Sequence, residues 1–287
     1  MPCVSSRRGR RIVAVVLLLV AVTVGFFVAG LRNDIIITRY QLGVAGVQSP
    51  IRVAVIADTH SCRYDDDQQQ IANMVRAENP DVITLVGDIV DDDLSYERGL
   101  DTVRHMPEIA PTFYVAGNHE YWSGRAREVK KELSGMGIHV LAGDTEEVDV
   151  NGQPLLVSGI DDPDADIYDP QTGNSFDDQA ERLRTVSSET PRLLLSHRPE
   201  RTDLYKSLDV DVIFSGHAHG GQWRIPGLLP NGLYAPNQGF FPKLSRGIHD
   251  LGGGRELIIS RGLSRESTSI PRLFNPPEIL IVDLVPA

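Results

Sequence analysis

Apolar and β-branched residues recur along the chain in short continuous runs, at 51–57, 82–86, 112–116, 139–141, 155–160, 192–196, 212–215, 257–260 and 279–285. Runs of this length without polar alternation suit strands covered on both faces. Between several of them the apolar positions take helical spacing, at 67–79, 94–105, 124–135, 176–188 and 199–207. Such alternation of strand and helix predicts an α/β architecture. The second half holds more strands and fewer helices, which fits two packed sheets with helices outside. A short strand at 35–38 precedes the series.

The longest apolar run stands apart. Residues 12–31 are 20 positions without a charge, enough to cross a bilayer as a helix. Arg7, Arg8, Arg10 and Arg11 precede the run, and Arg32 and Arg39 follow it. That excess predicts a cytoplasmic N-terminus and a domain on the outer side. Val28-Ala29-Gly30 is a poor small-x-small exit for a cleaved signal peptide, so an uncleaved anchor is favoured. Arg7-Arg8 also allows a loose twin-arginine export signal. The chain is therefore expected to comprise a basic cytoplasmic N-terminus (1–11), a transmembrane anchor (12–31), a lead-in segment (32–49) and one domain (50–287). It is expected in the cell membrane, single-pass, with that domain extracytoplasmic.

Composition adds exclusions. The formal charge of −11 argues against nucleic acid as a partner. A small phosphate substrate stays open, because bound divalent ions reverse the local sign. Cys3 and Cys62 flank the apolar run, so no disulfide framework is expected. Cys62 is read as a spectator. Residues 161–178, with seven aspartates, read as a solvated loop. Residues 220–254, rich in Gly, Pro and bulky apolar side chains, read either as a cover over the domain's own core or as a lipid contact.

The candidate chemistry lies just after the apolar runs. Five pieces occur in order: Asp58-Thr59-His60, Gly87-Asp88, Gly117-Asn118-His119-Glu120, Ser196-His197 and Gly216-His217-Ala218-His219. Carboxylate oxygen and imidazole nitrogen are the donors that hard or borderline divalent ions prefer. Strand periodicity predicts that Asp58 and His60 share one side, as do His217 and His219. Loops at the open ends of an α/β sheet converge. Two ions about 3.5–4 Å apart can clamp an in-line phosphoryl displacement and hold a bridging hydroxide. Phosphoester hydrolysis is the reaction this suits. His119, next to Asn118, is placed to protonate the leaving oxygen, with Asp91 or Glu120 to orient it. Arg261 or Arg198 could meet the phosphate. His105, His139 and His249 are read as ordinary satisfied histidines.

This series resembles the calcineurin-like metallophosphoesterase family, whose motifs run D-x-H, G-D, G-N-H-[D/E], H and G-H-x-H. The resemblance covers about residues 50–285. It implies a four-layer α/β/β/α sandwich of two mixed sheets. It implies Asp58, His60 and His219 as ligands of one metal, Asp88 as the bridging carboxylate, and Asn118, His197 and His217 as ligands of the second, with His119 as catalytic acid. The cofactors would be two divalent ions, Mn, Fe or Zn. Gly220-Gly221-Gln222, Ser260-Arg261-Gly262-Leu263 and residues 272–278 are similar to the membrane-associated YkuE/YaeI-type branch, which is related to a UDP-2,3-diacylglucosamine pyrophosphatase of the same fold. That branch implies a phosphodiester or pyrophosphate substrate, lipid-linked or part of the envelope. The competing expectation is a catalytically silent scaffold of the same fold. A third is a metal-binding envelope protein that uses 161–178 for wall or calcium contact. The completeness of the motif set separates the first from the second.

Overall fold

A computed structural model of the chain describes residues 7–265 and 270–287. Cys3 and the first residues of the basic N-terminus lie outside them. In chain order the first half comprises α1 (Arg7–Gly30), β1 (Ile36–Val44), β2 (Ile51–Ile56), α2 (Gln70–Ala77), β3 (Val82–Val86), α3 (Tyr96–Val103), β4 (Thr112–Val115), α4 (Asn118–Trp122), α5 (Ala126–Gly135) and β5 (His139–Val140). The second comprises β6 (Asp144–Val150), β7 (Gln153–Ile160), α6 (Ala165–Tyr168), α7 (Phe176–Arg184), β8 (Arg192–Ser196), α8 (Thr202–Lys206), β9 (Val212–Ser215), β10 (Tyr234–Ala235), β11 (Gly239–Phe240), β12 (Gly247–Gly252), β13 (Arg255–Ile259) and β14 (Glu278–Pro286).

Two six-stranded mixed sheets form, ordered β1-β14-β2-β3-β4-β5 and β12-β13-β9-β8-β7-β6, beside a small β10-β11 hairpin. Within the first, β2 to β5 run parallel and β14 runs antiparallel to β2. Within the second, β7, β8, β9 and β13 run parallel. Side-chain alternation along each strand sorts the apolar residues into layers. Ala54, Ile56, Ile83 and Leu85 face α2, α3 and α5, where they meet Ile71, Val75, Leu100, Val103, Val129 and Leu133. Val53, Val55, Val82, Val86, Phe113 and Val115 face the other sheet and meet Leu193, Leu195, Val212 and Phe214. Leu194, Ile213, Leu257 and Ile259 face α7 and α8 through Phe176, Leu183 and Tyr205. The result is an α/β/β/α sandwich. Each such fully buried side chain contributes roughly 1.5–3 kcal/mol, so both faces of both sheets must be covered.

Two strands of the large sheets, besides the small β10–β11 hairpin, escape a reading based on apolar runs. β6 (DTEEVDV) and β12 (GIHDLG) are sheet edges with one face exposed, and they alternate with charged residues. Charge on an edge blocks further pairing, which is why these strands lack the continuous apolar signature. The strand expected at 35–38 extends to Val44 and pairs in parallel with β14, from Ile36 beside Glu278 to Val44 beside Pro286. It therefore belongs to the first sheet.

Helix α1 is long and apolar enough to cross a membrane over Gly9–Gly30, and its apolar side chains are exposed along its length. Its last turn rests on the domain: the Phe274 N–H donates to the Gly30 carbonyl (2.6 Å), and the Phe26 and Phe274 rings lie 4.8 Å apart.

Candidate metal centre

The five motifs follow β2, β3, β4, β8 and β9, at the carboxyl ends of parallel strands, four of them on loops and the third running from Gly117 into the first turn of α4. Ligands gather at such ends in α/β sheets. Backbone bonds continue the ladders beyond the strands. Asp58 N–H donates to the Gly87 carbonyl (3.1 Å), His60 N–H to that of Asp88 (2.9 Å) and Gly216 N–H to that of His197 (3.1 Å). The loops are thus fixed against one another before any side chain is considered.

The expected strand alternation does not operate here. β2 stops at Ile56, and Asp58 and His60 take left-handed backbone, with φ of 53° and 47°. His217 and His219 do the same, at 64° and 46°. The side chains still converge, because the turns curl them inward. Non-glycine residues in this region are uncommon and concentrate at functional sites. Gly87 (φ 77°) is required for a further reason: a Cβ there would lie 2.5 Å from His197 Nδ1 and 2.8 Å from Gly117 Cα.

Ligand-type atoms of Asp58, His60, Asp88 and His219 lie within 4.8 Å of one another, and so do those of Asp88, His197 and His217. Asp88 belongs to both groups. Five buried atoms here have no hydrogen-bond partner among the described residues: Asp58 Oδ2, His60 Nε2, Asp88 Oδ2, Asn118 Oδ1 and His197 Nε2. Three of the five crowd one another, with His197 Nε2 3.0 Å and His60 Nε2 3.5 Å from Asp88 Oδ2; buried acid and imidazole atoms gathered this closely, with no other hydrogen-bond partner, fit a cation-binding centre. No thiolate takes part. Cys62 is buried in the outer helix-facing core, where its Sγ accepts the Arg265 N–H (3.1 Å).

The partners of the histidines set which ring nitrogen faces the centre. His60 Nδ1 meets Asp91 Oδ2 (3.0 Å), His197 Nδ1 the Val86 carbonyl (2.8 Å) and His219 Nδ1 the Ser264 hydroxyl (2.7 Å). Each leaves Nε2 for an ion. His217 is reversed: its Nε2 meets Asn237 Oδ1 (2.7 Å), leaving Nδ1. Such outer partners orient metal-binding imidazoles.

Charge follows the same geometry. Burial pulls the His197 imidazole down, but the carboxylates of Asp88 and Asp58 outweigh it and hold it at about 10. Burial pushes Asp88 up, yet His197, His119 and His60 around it bring its carboxyl well below the usual range. His217 and His219 lie far below the ordinary imidazole value, chiefly through burial.

His119 lies at the edge of the centre, with its N–H on Asp88 Oδ1 (2.9 Å). Its Nδ1 pairs with Asp92 Oδ1 at 2.6 Å. Asp91 is farther, at 3.6 Å, and is taken by His60. Glu120 does not orient His119. Its carboxylate accepts the N–H groups of Asp88 (2.9 Å), Ile89 (2.6 Å), Val90 (3.1 Å) and Gly117 (2.7 Å), which pins the loop carrying Asp88.

A cavity of about 540 Å³ opens over the centre. His60, Asp88, Asn118, His119, His217 and His219 form its floor, and Trp122, Gln222, Tyr234 and Ile270 are part of its wall. Arg198 also lines it, clamped by Asp162 (2.5 and 2.8 Å) and joined to Asn237 Oδ1 (2.7 Å). Arg261 does not line it; its Nη2 is committed to Glu278 Oε2 (2.5 Å). The loop at 161–178 is only partly solvated, since Asp161 and Asp162 are buried and pair with Lys130 and Arg198. His105, His139 and His249 pair locally with Glu108, Glu146 and the Arg246 carbonyl, away from the centre.

The sandwich and its acid–imidazole centre define a metal-dependent hydrolase of phosphoric esters. The calcineurin-like phosphoesterase profile matches residues 51–221, and the chain belongs to that family. An uncharacterized metallophosphoesterase of Aquifex aeolicus is 31% identical over 82% of this chain and 85% of its own length. Phosphodiesterase YaeI of Escherichia coli is 26% identical over 83% of each chain. A transmembrane protein with a metallophosphoesterase domain from Danio rerio is 29% identical over 54% of this chain and 36% of its own length. Among solved structures, a 5′-nucleotidase precursor of Thermus thermophilus superposes with a TM-score of 0.51 at 16% identity, over 82% of this chain and 54% of that one. That likeness concerns the fold.

Proposed function

We propose that this chain is a membrane-anchored phosphodiesterase or pyrophosphatase that works with two divalent ions, Mn, Fe or Zn, on a lipid or envelope substrate. In this reading α1 crosses the membrane once and the domain lies on the extracytoplasmic side. Asp58, His60 and His219 hold one ion, Asn118, His197 and His217 hold the other, and Asp88 serves both. When bound, the ions lower the pKa of water and polarise phosphoryl oxygens. His119 is the general acid: Asp92 holds its Nδ1, which leaves Nε2 to give a proton to the departing oxygen. Arg198 lies where it can meet a phosphoryl oxygen.

The observation that carries this reading is the convergence of buried acid and imidazole atoms of Asp58, His60, Asp88, His197, His217 and His219 beside a cavity that His119 lines. Room in that cavity beside Trp122, Tyr234 and Ile270 supports a substrate with a group on each side of the phosphorus.

The test uses the full chain in detergent, stripped with chelator and repleted with Mn or Zn. Metal-dependent cleavage of bis-p-nitrophenyl phosphate above p-nitrophenyl phosphate, lost in His119→Ala, is the expected result. Two ions bound per chain without turnover of either ester would favour the silent scaffold. No bound ion would overturn the reading.

A further inference from the structure

Bulky apolar side chains stand in water on the loops that wall the cavity. Leu228 is 72% exposed, Phe240 70%, Phe241 66% and Ile270 55%, with Tyr234 and Trp223 close behind. Phe241 is held outward on left-handed backbone, at φ 59°, a conformation seldom given to a bulky residue. The Tyr234 and Phe240 rings pack edge to face across the β10–β11 hairpin, 5.5 Å apart, so the hairpin presents a preformed aromatic face. Exposed apolar side chains gathered on loops at one cavity mouth mark an interaction site.

Charge on these loops departs from the rest of the chain. The protein carries 39 acidic residues, yet none lies between Asp211 and Asp250. That stretch holds Arg224, Lys243 and Arg246. Among the described residues none of the three pairs with a carboxylate; Arg224 and Arg246 both donate to the Pro230 carbonyl (3.0 and 2.8 Å). An apolar and basic face on an acidic protein is complementary to an anionic surface with an apolar interior.

Its position supplies the occupant. Trp223 bridges to Leu273, and its Nε1 donates to the Pro271 carbonyl (2.9 Å). Phe274, the next residue, is the one bonded to Gly30 at the end of α1. The exposed loops therefore continue directly from the exit of the apolar helix. Gln222, Tyr234 and Ile270 belong both to this face and to the cavity wall.

We propose that the loop over 222–246, with Ile270, seats on the anionic headgroup layer of the bilayer that α1 crosses, so that the cavity opens at the membrane surface and takes its phosphate from an amphiphile. This rests on α1 being a span and on the cavity being the phosphoesterase site. Tryptophan and tyrosine favour that interface, and basic residues add attraction to acidic lipid.

The experiment reconstitutes the full chain in phosphatidylcholine–phosphatidylglycerol vesicles whose acyl chains carry bromine. Trp122→Phe leaves Trp223 as the sole tryptophan. The expected result is loss of Trp223 fluorescence to the brominated lipid, with none for Trp122 in the Trp223→Phe chain. Trp223 reached by aqueous acrylamide and not by brominated lipid would place this face in water and overturn the proposal. Trp223 shielded from both would place a protein or a second copy there and overturn it equally. A second arm uses Phe240→Asp with Phe241→Asp: cleavage of bis-p-nitrophenyl phosphate is retained, while cleavage of a vesicle-embedded p-nitrophenyl phospholipid diester falls by an order of magnitude. Equal loss on both substrates would overturn the proposal. Failure of the unmodified chain on the soluble diester would instead strike the proposed function, and the quenching result does not depend on it.

Discussion

Asp92 Oδ1 lies 2.6 Å from Nδ1 of His119, while the adjacent Asp91 is bonded to His60. Two neighbouring carboxylates thus serve two different histidines. Asp92→Asn is expected to lower turnover about 10-fold and leave metal content unchanged, a smaller loss than the roughly 10²–10⁴-fold expected for His119→Ala. Asp91→Asn is expected to weaken metal binding about 10–100-fold by releasing His60. Steady-state rates beside metal content by mass spectrometry separate the two; equal effects on both quantities would contradict the division of roles.

Glu120 accepts four N–H bonds, three from the loop of Asp88 and one from Gly117. Glu120→Ala leaves those donors buried without an acceptor, at about 1–3 kcal/mol for each that water cannot reach. The variant is expected to unfold at markedly lower urea and to bind metal poorly even where folded. Retention of wild-type stability would mean that water replaces the carboxylate.

Metal uptake is expected to release protons. With its imidazole held at about 10, His197 is protonated in the metal-free chain at neutral pH. An ion requires it neutral, so binding at about pH 7.5 displaces about one proton from this residue, and affinity rises with pH through that range. Calorimetry in buffers of different ionisation enthalpy reads the number directly. A slope of zero would contradict the charge assignment.

Arg192 is only 2% exposed and donates to the Ser158 hydroxyl (2.7 Å) and to the carbonyls of Val186 (2.9 Å), Asp209 (3.0 Å) and Leu183 (3.2 Å). It ties the second sheet to α7, far from the cavity. Arg192→Ala is expected to cost about 3–5 kcal/mol by orphaning these acceptors and opening a void. Activity per folded molecule should stay unchanged; a selective loss of turnover would show that the tie reaches the site.

The parts legible in the sequence are those where burial is two-sided. The runs at 82–86, 192–196 and 212–215 became β3, β8 and β9 with little or no shift of their ends. The edges β6 and β12 were hidden, because a half-exposed charged strand carries no continuous apolar run. The motif series located the residues that meet at the centre, but the reason offered for Asp58 with His60 was incorrect: they converge through left-handed turns rather than strand alternation. Outer partners were harder still. Asp91, Asp92 and Asp93 are identical as letters, and only the turn distinguishes them. Asn237 and Ser264 are ordinary polar loop residues with polar neighbours, and nothing around them signals that they hold His217 and His219.

β14 lies between β1 and β2, so the first sheet stays divided until the last strand arrives. Thr38 Oγ1 donates to Glu278 Oε2 across 240 residues, and Gly262, packed on Asp58, belongs to the same late segment. Closing such distant contacts is slow. In the proposed reading, where α1 is a membrane span, the apolar helix therefore enters the bilayer during synthesis long before the domain has a closed core. The candidate metal centre thus depends on β14 and the segment before it, and a ribosome stalled short of β14 would yield a chain unable to mature.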